Sequence, residues 1–169
     1  MNFAALIFLP FIFIFSQPIE ARISSKRIEL TPAIRNELNL ILQNTNQLHS
    51  ACINDDEGSI EKATEKVINS LKRATKNSSM AQVQATHLVK ILSAALEKLE
   101  VSQNYSGQKR RDSLLEAFKD LVQIAQVYKL EKYNIFFCNK DKALWLQKSS
   151  MPKNPINPKK FGKCGRLVQ

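Results

Sequence analysis

Four stretches of apolar residues recur at spacings of three and four between residues 31 and 130, each bounded by a cluster that breaks helices. An α-helix brings positions three and four apart onto one face, so each stretch reads as an amphipathic helix with a stripe to bury. Thr31 and Pro32 offer an N-cap and a first-turn proline, and Ile34, Leu38, Ile41, Leu48 and Cys52 follow, which predicts a helix over about 31–53. NDDEG interrupts it, Ser59 is the expected cap of the next, and Ile60, Ala63, Val67, Leu71 and Ala74 carry the second helix to about Lys76. After NSS, the residues Ala81, Leu88, Leu92, Ala95 and Leu99 mark a third helix to about Val101, and SQNYSG ends that unit at Gly107. Leu114, Phe118, Leu121, Ala125 and Tyr128 mark the fourth, about 108–130. Each run is too short for a free coiled coil, and the loops are short. The expected fold is therefore mainly α, an up-and-down four-helix bundle.

After Leu130 the pattern changes. YNIFFC and KALWLQ are short aromatic and aliphatic runs on either side of the polar NKD, which predicts a small C-terminal β-hairpin. Pro152, Pro155 and Pro158 then argue against regular helix or central strand, so the remainder is expected as a loop.

The chain opens with an apolar run from Phe3 to Phe15 that turns polar at Ser16 and Gln17, with small residues at Ser16 and Ala21. Thirteen residues on a helix span roughly 20 Å, short of a ~30 Å hydrocarbon core. Residues 1–21 are thus expected to be a secretory signal peptide and not a lasting membrane span, and the protein to be secreted or periplasmic. Residues 22–169 suffice for one domain, with a bundle at about 31–130 and a tail at 131–169. The charge is uneven. Residues 22–128 carry 15 basic and 12 acidic groups, whereas residues 129–169 carry 10 basic and 2 acidic, a net of +8. Such a tail attracts anionic surfaces or serves as a solvated surface. Nucleic-acid binding would need aromatics interleaved on a platform and is not expected.

Cys52 lies on the stripe of the first helix, where a thiol behaves as a small hydrophobe. Cys138 and Cys164 bracket the proline-rich stretch, and three readings of this pair are open: a disulfide clip, a soft-metal site or an undefined surface. Zinc would want four ligands, and the two histidines, His49 and His87, each fall inside a predicted helix without ligand spacing. There is no G-x-S-x-G, no P-loop and no glycine-rich phosphate cradle, and neither histidine is near Cys138 or Cys164 in sequence. No enzymatic activity is expected. Two sequons, at Asn77 and Asn104, fall in predicted loops.

The tail as a whole, Cys138, then Ala143-Leu144-Trp145-Leu146-Gln147, then Asn154-Pro155, then Cys164-Gly165, resembles the signature of an uncharacterised bacterial periplasmic domain family. QKRRDSLLEAFKDL, from Gln108 to Leu121, resembles the stretch that precedes it there. Members of that family occur alone or fused to adaptor subunits of copper and silver efflux pumps. The resemblance implies a helical periplasmic domain with Trp145, Asn154, Pro155 and Gly165 as signature positions, and it brings copper at Cys138 and Cys164 into view. Where the family commonly has Cys-Pro-Met, this chain has Cys138-Asn139-Lys140, and Phe161 stands where a methionine commonly precedes the second cysteine. Cu(I) favours thiolate and thioether together, so these departures thin the ligand set.

The expectation is an exported, non-enzymatic binding or accessory module whose ligand is unknown, an unidentified protein or envelope component, with its tail clipped by a disulfide. A periplasmic copper-handling protein and a secreted helical signalling bundle are the alternatives.

Overall fold

The computed structural model describes residues 27–79 and 86–168; the expected signal peptide and Ala81 lie outside them. Four long helices follow one another: α1 (Pro32–Asn54), α2 (Glu57–Ser79), α3 (Thr86–Ser102) and α4 (Gly107–Val127). Their stripes meet in one core, in which Leu38, Ile41, Leu48, Leu71, Leu92, Leu99 and Phe118 are all but fully buried. Neighbours in sequence are neighbours in space, the order of an up-and-down bundle. No helix among the described residues is long and apolar enough to cross a membrane.

The helix ends depart from the sequence expectation where local hydrogen bonding decides. Thr31 occupies the N-cap position of α1 but makes no side-chain cap bond. Ser59 does not cap α2. That role falls to Asp56, whose carboxylate accepts from the Gly58 N–H and the Ser59 hydroxyl at the start of the helix. Asp55 closes α1 in the left-handed region, its N–H returning to the Cys52 carbonyl. Gly107 opens α4 instead of closing α3; its φ is +57°, and its N–H donates to Glu57 at 3.2 Å. The Asn77 sequon lies in the last turns of α2, with Ser78 buried, so it is not a loop; Asn104 is an exposed loop residue.

The hairpin forms as β1 (Asn134–Phe137) and β2 (Leu144–Gln147), antiparallel, with Phe136 opposite Trp145. A third strand that the sequence reading lacks, β3 (Arg166–Leu167), pairs with the other edge of β1, giving the order β2-β1-β3. Between the cysteines, Pro158 starts a single helical turn, α5 (Pro158–Phe161). The expectation of no helix there fails because proline at the first helical position has no N–H to lose.

The sheet is placed by the helices it touches. α1 and α4 contact each other little, whereas β2 packs against both, so the hairpin is a wedge in the α1–α4 seam. Tyr133, Ile135, Phe136, Trp145, Leu146 and Ile156 belong to the same buried cluster as the helix stripes. Bundle and tail thus share one core.

Candidate anion-binding face at the disulfide

The hairpin turn is built around a carboxylate. The Cys138 N–H donates to the Ala143 carbonyl at 2.9 Å, Lys142 takes a φ of 60°, and Asp141 accepts from the Ala143 N–H at 3.2 Å. The other oxygen of Asp141 accepts from the side chains of Asn154, at 2.9 Å, and Asn157, at 3.0 Å. Asn154 is fully buried; its side-chain oxygen accepts from the N–H groups of Ile156 and Asn157, and its own N–H donates to Gly162. Such an Asx turn shapes the chain ahead of Pro155 and Pro158 without secondary structure.

Cys138 and Cys164 are joined by a disulfide, their Cα atoms 5.3 Å apart. Of the three sequence readings, the clip is the observed one. The signature residues gather around it as packing. Trp145 is fully buried, stacked on Phe136 at 5.8 Å. Gly165 lies against its ring: a Cβ there would stand 2.8 Å from the indole and 2.7 Å from Pro152, so no side chain fits. Pro155 is buried beside Asn154.

Polar ties fasten this tail to the helices, among them three from residues 153–159. The Nε2–H of His49 on α1 donates to the Lys153 carbonyl at 2.7 Å, Gln108 on α4 donates to Ile156 at 3.2 Å, and Lys159 pairs with Asp55 at 2.6 Å. Burial holds His49 neutral, its pKa pushed down to about 4. Asp55 is also held below the usual carboxylate range, by Lys159 first and then by the buried Arg111. Arg110, likewise buried, donates to the Tyr105 carbonyl and to Glu57.

Against this frame opens a groove of about 570 Å³, bordered by Lys140, Lys159, Lys160, Lys163, Phe161 and Cys164. Two of its ammonium groups stand over one ring: Lys140 Nζ is 5.7 Å and Lys160 Nζ 5.1 Å from the centre of Phe161. Gly162 lies in its wall, where a Cβ would stand 2.3 Å from the Pro158 carbonyl oxygen. Four of the ten basic residues counted in 129–169 thus border one groove at the disulfide, which composition alone does not place.

A soft metal does not fit these residues. Both tail sulfurs are consumed in the disulfide and offer no thiolate. Met151 is 72% exposed on a separate loop, and lysine borders the groove on both sides of the bond. Cys52 is a buried free thiol whose pKa burial raises to about 12. His87 is exposed on α3, and His49 is spent on Lys153. Among the described residues no group of three or more His, Cys, Asp or Glu side chains is placed to hold an ion.

Residues that the sequence reading passes over carry much of the local structure. Asp141 and Asn157 are ordinary polar residues in sequence, and only the fold gives them their partners. Compared with protein-family models, curated proteins and solved structures, the chain matches none.

Proposed function

We propose that this protein is an exported, non-enzymatic binding module that engages an anionic ligand through the lysine-bordered groove beside its disulfide. The observation that carries the reading is the gathering of Lys140, Lys159, Lys160 and Lys163 around one groove, with only Lys159 paired to a carboxylate among the described residues. Like charges brought together cost free energy unless something negative meets them. Elsewhere in the tail Lys129 and Lys148 pair with Glu29 and Glu131, whereas at the groove three lysines without a carboxylate partner among the described residues border one cleft. Export accords with the apolar run at residues 3–15 and with the disulfide, which persists in oxidising compartments.

The test is binding to dextran sulfate by two variants of equal net charge. One replaces Lys140, Lys159, Lys160 and Lys163 with Gln; the other replaces Lys62, Lys66, Lys76 and Lys90 on the helices. The groove variant should lose roughly tenfold or more in affinity and most of its salt dependence. Equal losses in the two would mean that net charge alone binds, and the reading would fall.

A further inference from the structure

Lys140 stands two residues after Cys138, while Lys160, Phe161 and Lys163 stand in the four residues before Cys164. The two groups are far apart along the chain; Lys140 and Lys160 meet over the Phe161 ring, and Lys163 and Cys164 border the same groove. The ring's negative face offsets part of the repulsion between the ammonium groups. Asp141, the acid next to Lys140, is turned into the loop by its three N–H donors. No other carboxylate among the described residues pairs with Lys140, Lys160 or Lys163. The near end of the tail segment is tied to the turn by Asp141 through Asn154 and Asn157; its far end is held by the disulfide together with the pairing of β3 on β1.

We infer that the Cys138–Cys164 bond joins two half-sites, Lys140 on one side and Lys160 with Lys163 on the other, into one site for a multiply charged phosphoryl group. The inference rests on the groove being the binding face, and adds what the groove takes and what assembles it. A phosphoryl group concentrates about −1.5 to −2 charge and three acceptor oxygens in a small volume, and each ammonium brings three donors and no acceptor. A carboxylate brings a single charge and matches the cluster less well. A bilayer would also need an apolar anchor. Among the described residues the exposed large apolar ones, Ile28, Val101, Met151 and Leu167, all lie outside the groove, whose ring is only partly exposed.

Calorimetric titration of sodium tripolyphosphate into the oxidised protein at low salt tests this, with phosphatidylglycerol vesicles as the second probe. Tripolyphosphate should bind one to one, and Lys140→Gln and Lys160→Gln should each weaken it roughly tenfold, the scale of one charge-assisted contact. Cys138→Ser/Cys164→Ser should weaken it at least as much, although every lysine remains. Full affinity in that double variant would overturn assembly by the bond while leaving the groove reading intact. Unchanged affinity in Lys140→Gln, which keeps the bond and does not depend on the serine variant folding, would overturn the joined half-sites. Equal affinity in the two lysine-to-glutamine sets described above would overturn groove and site together. Vesicle binding without tripolyphosphate binding would assign the face to a membrane surface and end the phosphoryl proposal.

Discussion

The indole N–H of Trp145 donates to the side-chain oxygen of Gln147, two residues along the same strand, at 2.9 Å. That oxygen also accepts from the Lys153 N–H at 3.1 Å, and the amide nitrogen donates to the carbonyls of Ser149 and Met151. One buried amide therefore satisfies the tryptophan and folds the following loop back on the strand. Replacing Gln147 with Leu keeps much of its volume and removes all four bonds. The expected loss is about 2–3 kcal/mol, the cost of leaving buried donors unpaired, read from denaturant unfolding. A loss below 0.5 kcal/mol would mean that the loop finds other partners.

Gly165→Ala tests the close approach from the other side. The added methyl meets the Trp145 ring and Pro152, and overpacking of this kind costs about 1–3 kcal/mol. Tryptophan emission should shift to the red as the ring is displaced. An unchanged spectrum and midpoint would place slack where none is seen.

Phe118 is almost fully buried in the bundle, and Phe118→Ala should destabilise the fold by about 3–5 kcal/mol.

Acidification should weaken the tie between α1 and the tail. His49 is neutral in the fold, with a pKa of about 4, and protonates near 6.5 once unfolded. The unfolded chain therefore binds the extra proton first, so this contribution to stability is intact above pH 6.5 and is lost as pH falls from about 6.5 to 4. The shift corresponds to about 3 kcal/mol. Asp55, lowered by Lys159 and Arg111, contributes stability that is lost only at lower pH, as its carboxylate protonates. Urea midpoints measured across pH 4–7 should slope for the parent and flatten for His49→Gln; parallel slopes would remove His49 from the account.

Non-reducing peptide mapping should recover Cys138 linked to Cys164, with Cys52 as a free thiol. A cross-link separated by 26 residues stabilises by roughly 3.5 kcal/mol on the chain-entropy estimate. The Cys138→Ser/Cys164→Ser protein should be cut by protease first within residues 148–163. Primary cleavage inside α1–α4 would move the weak point to the bundle.

What was legible in the sequence was periodic or covalent. Leu38, Leu71, Leu92 and Phe118 each sit on a stripe of helical spacing, and each is in the core. Cys138 and Cys164 bracket a stretch that needs pinning, and they pin it. What was not legible depends on residues distant in the chain. Ser59 resembles a cap until its hydroxyl is seen to donate to Asp56, and Pro158 resembles a breaker until its position at the start of a turn is known. His49 meets a carbonyl 104 residues away, which no local pattern encodes. The groove was half legible: the tail's charge could be counted, but the meeting of Lys140 and Lys160 on one ring is set by the tertiary fold and not by any local pattern.

Ile28 pairs with Tyr128 as a parallel bridge, its N–H reaching Val127 and its carbonyl accepting from Lys129, while β2 fills the seam between α1 and α4. Early residues thus wait for late ones. During synthesis, which proceeds from the N-terminus, α1 is complete while the strand that will cover its flank is still about 90 residues from being made. A product stopped near residue 130 would contain all four helices and still expose an apolar cleft, so such a fragment would look unfinished to any chaperone or protease that reads greasy surface.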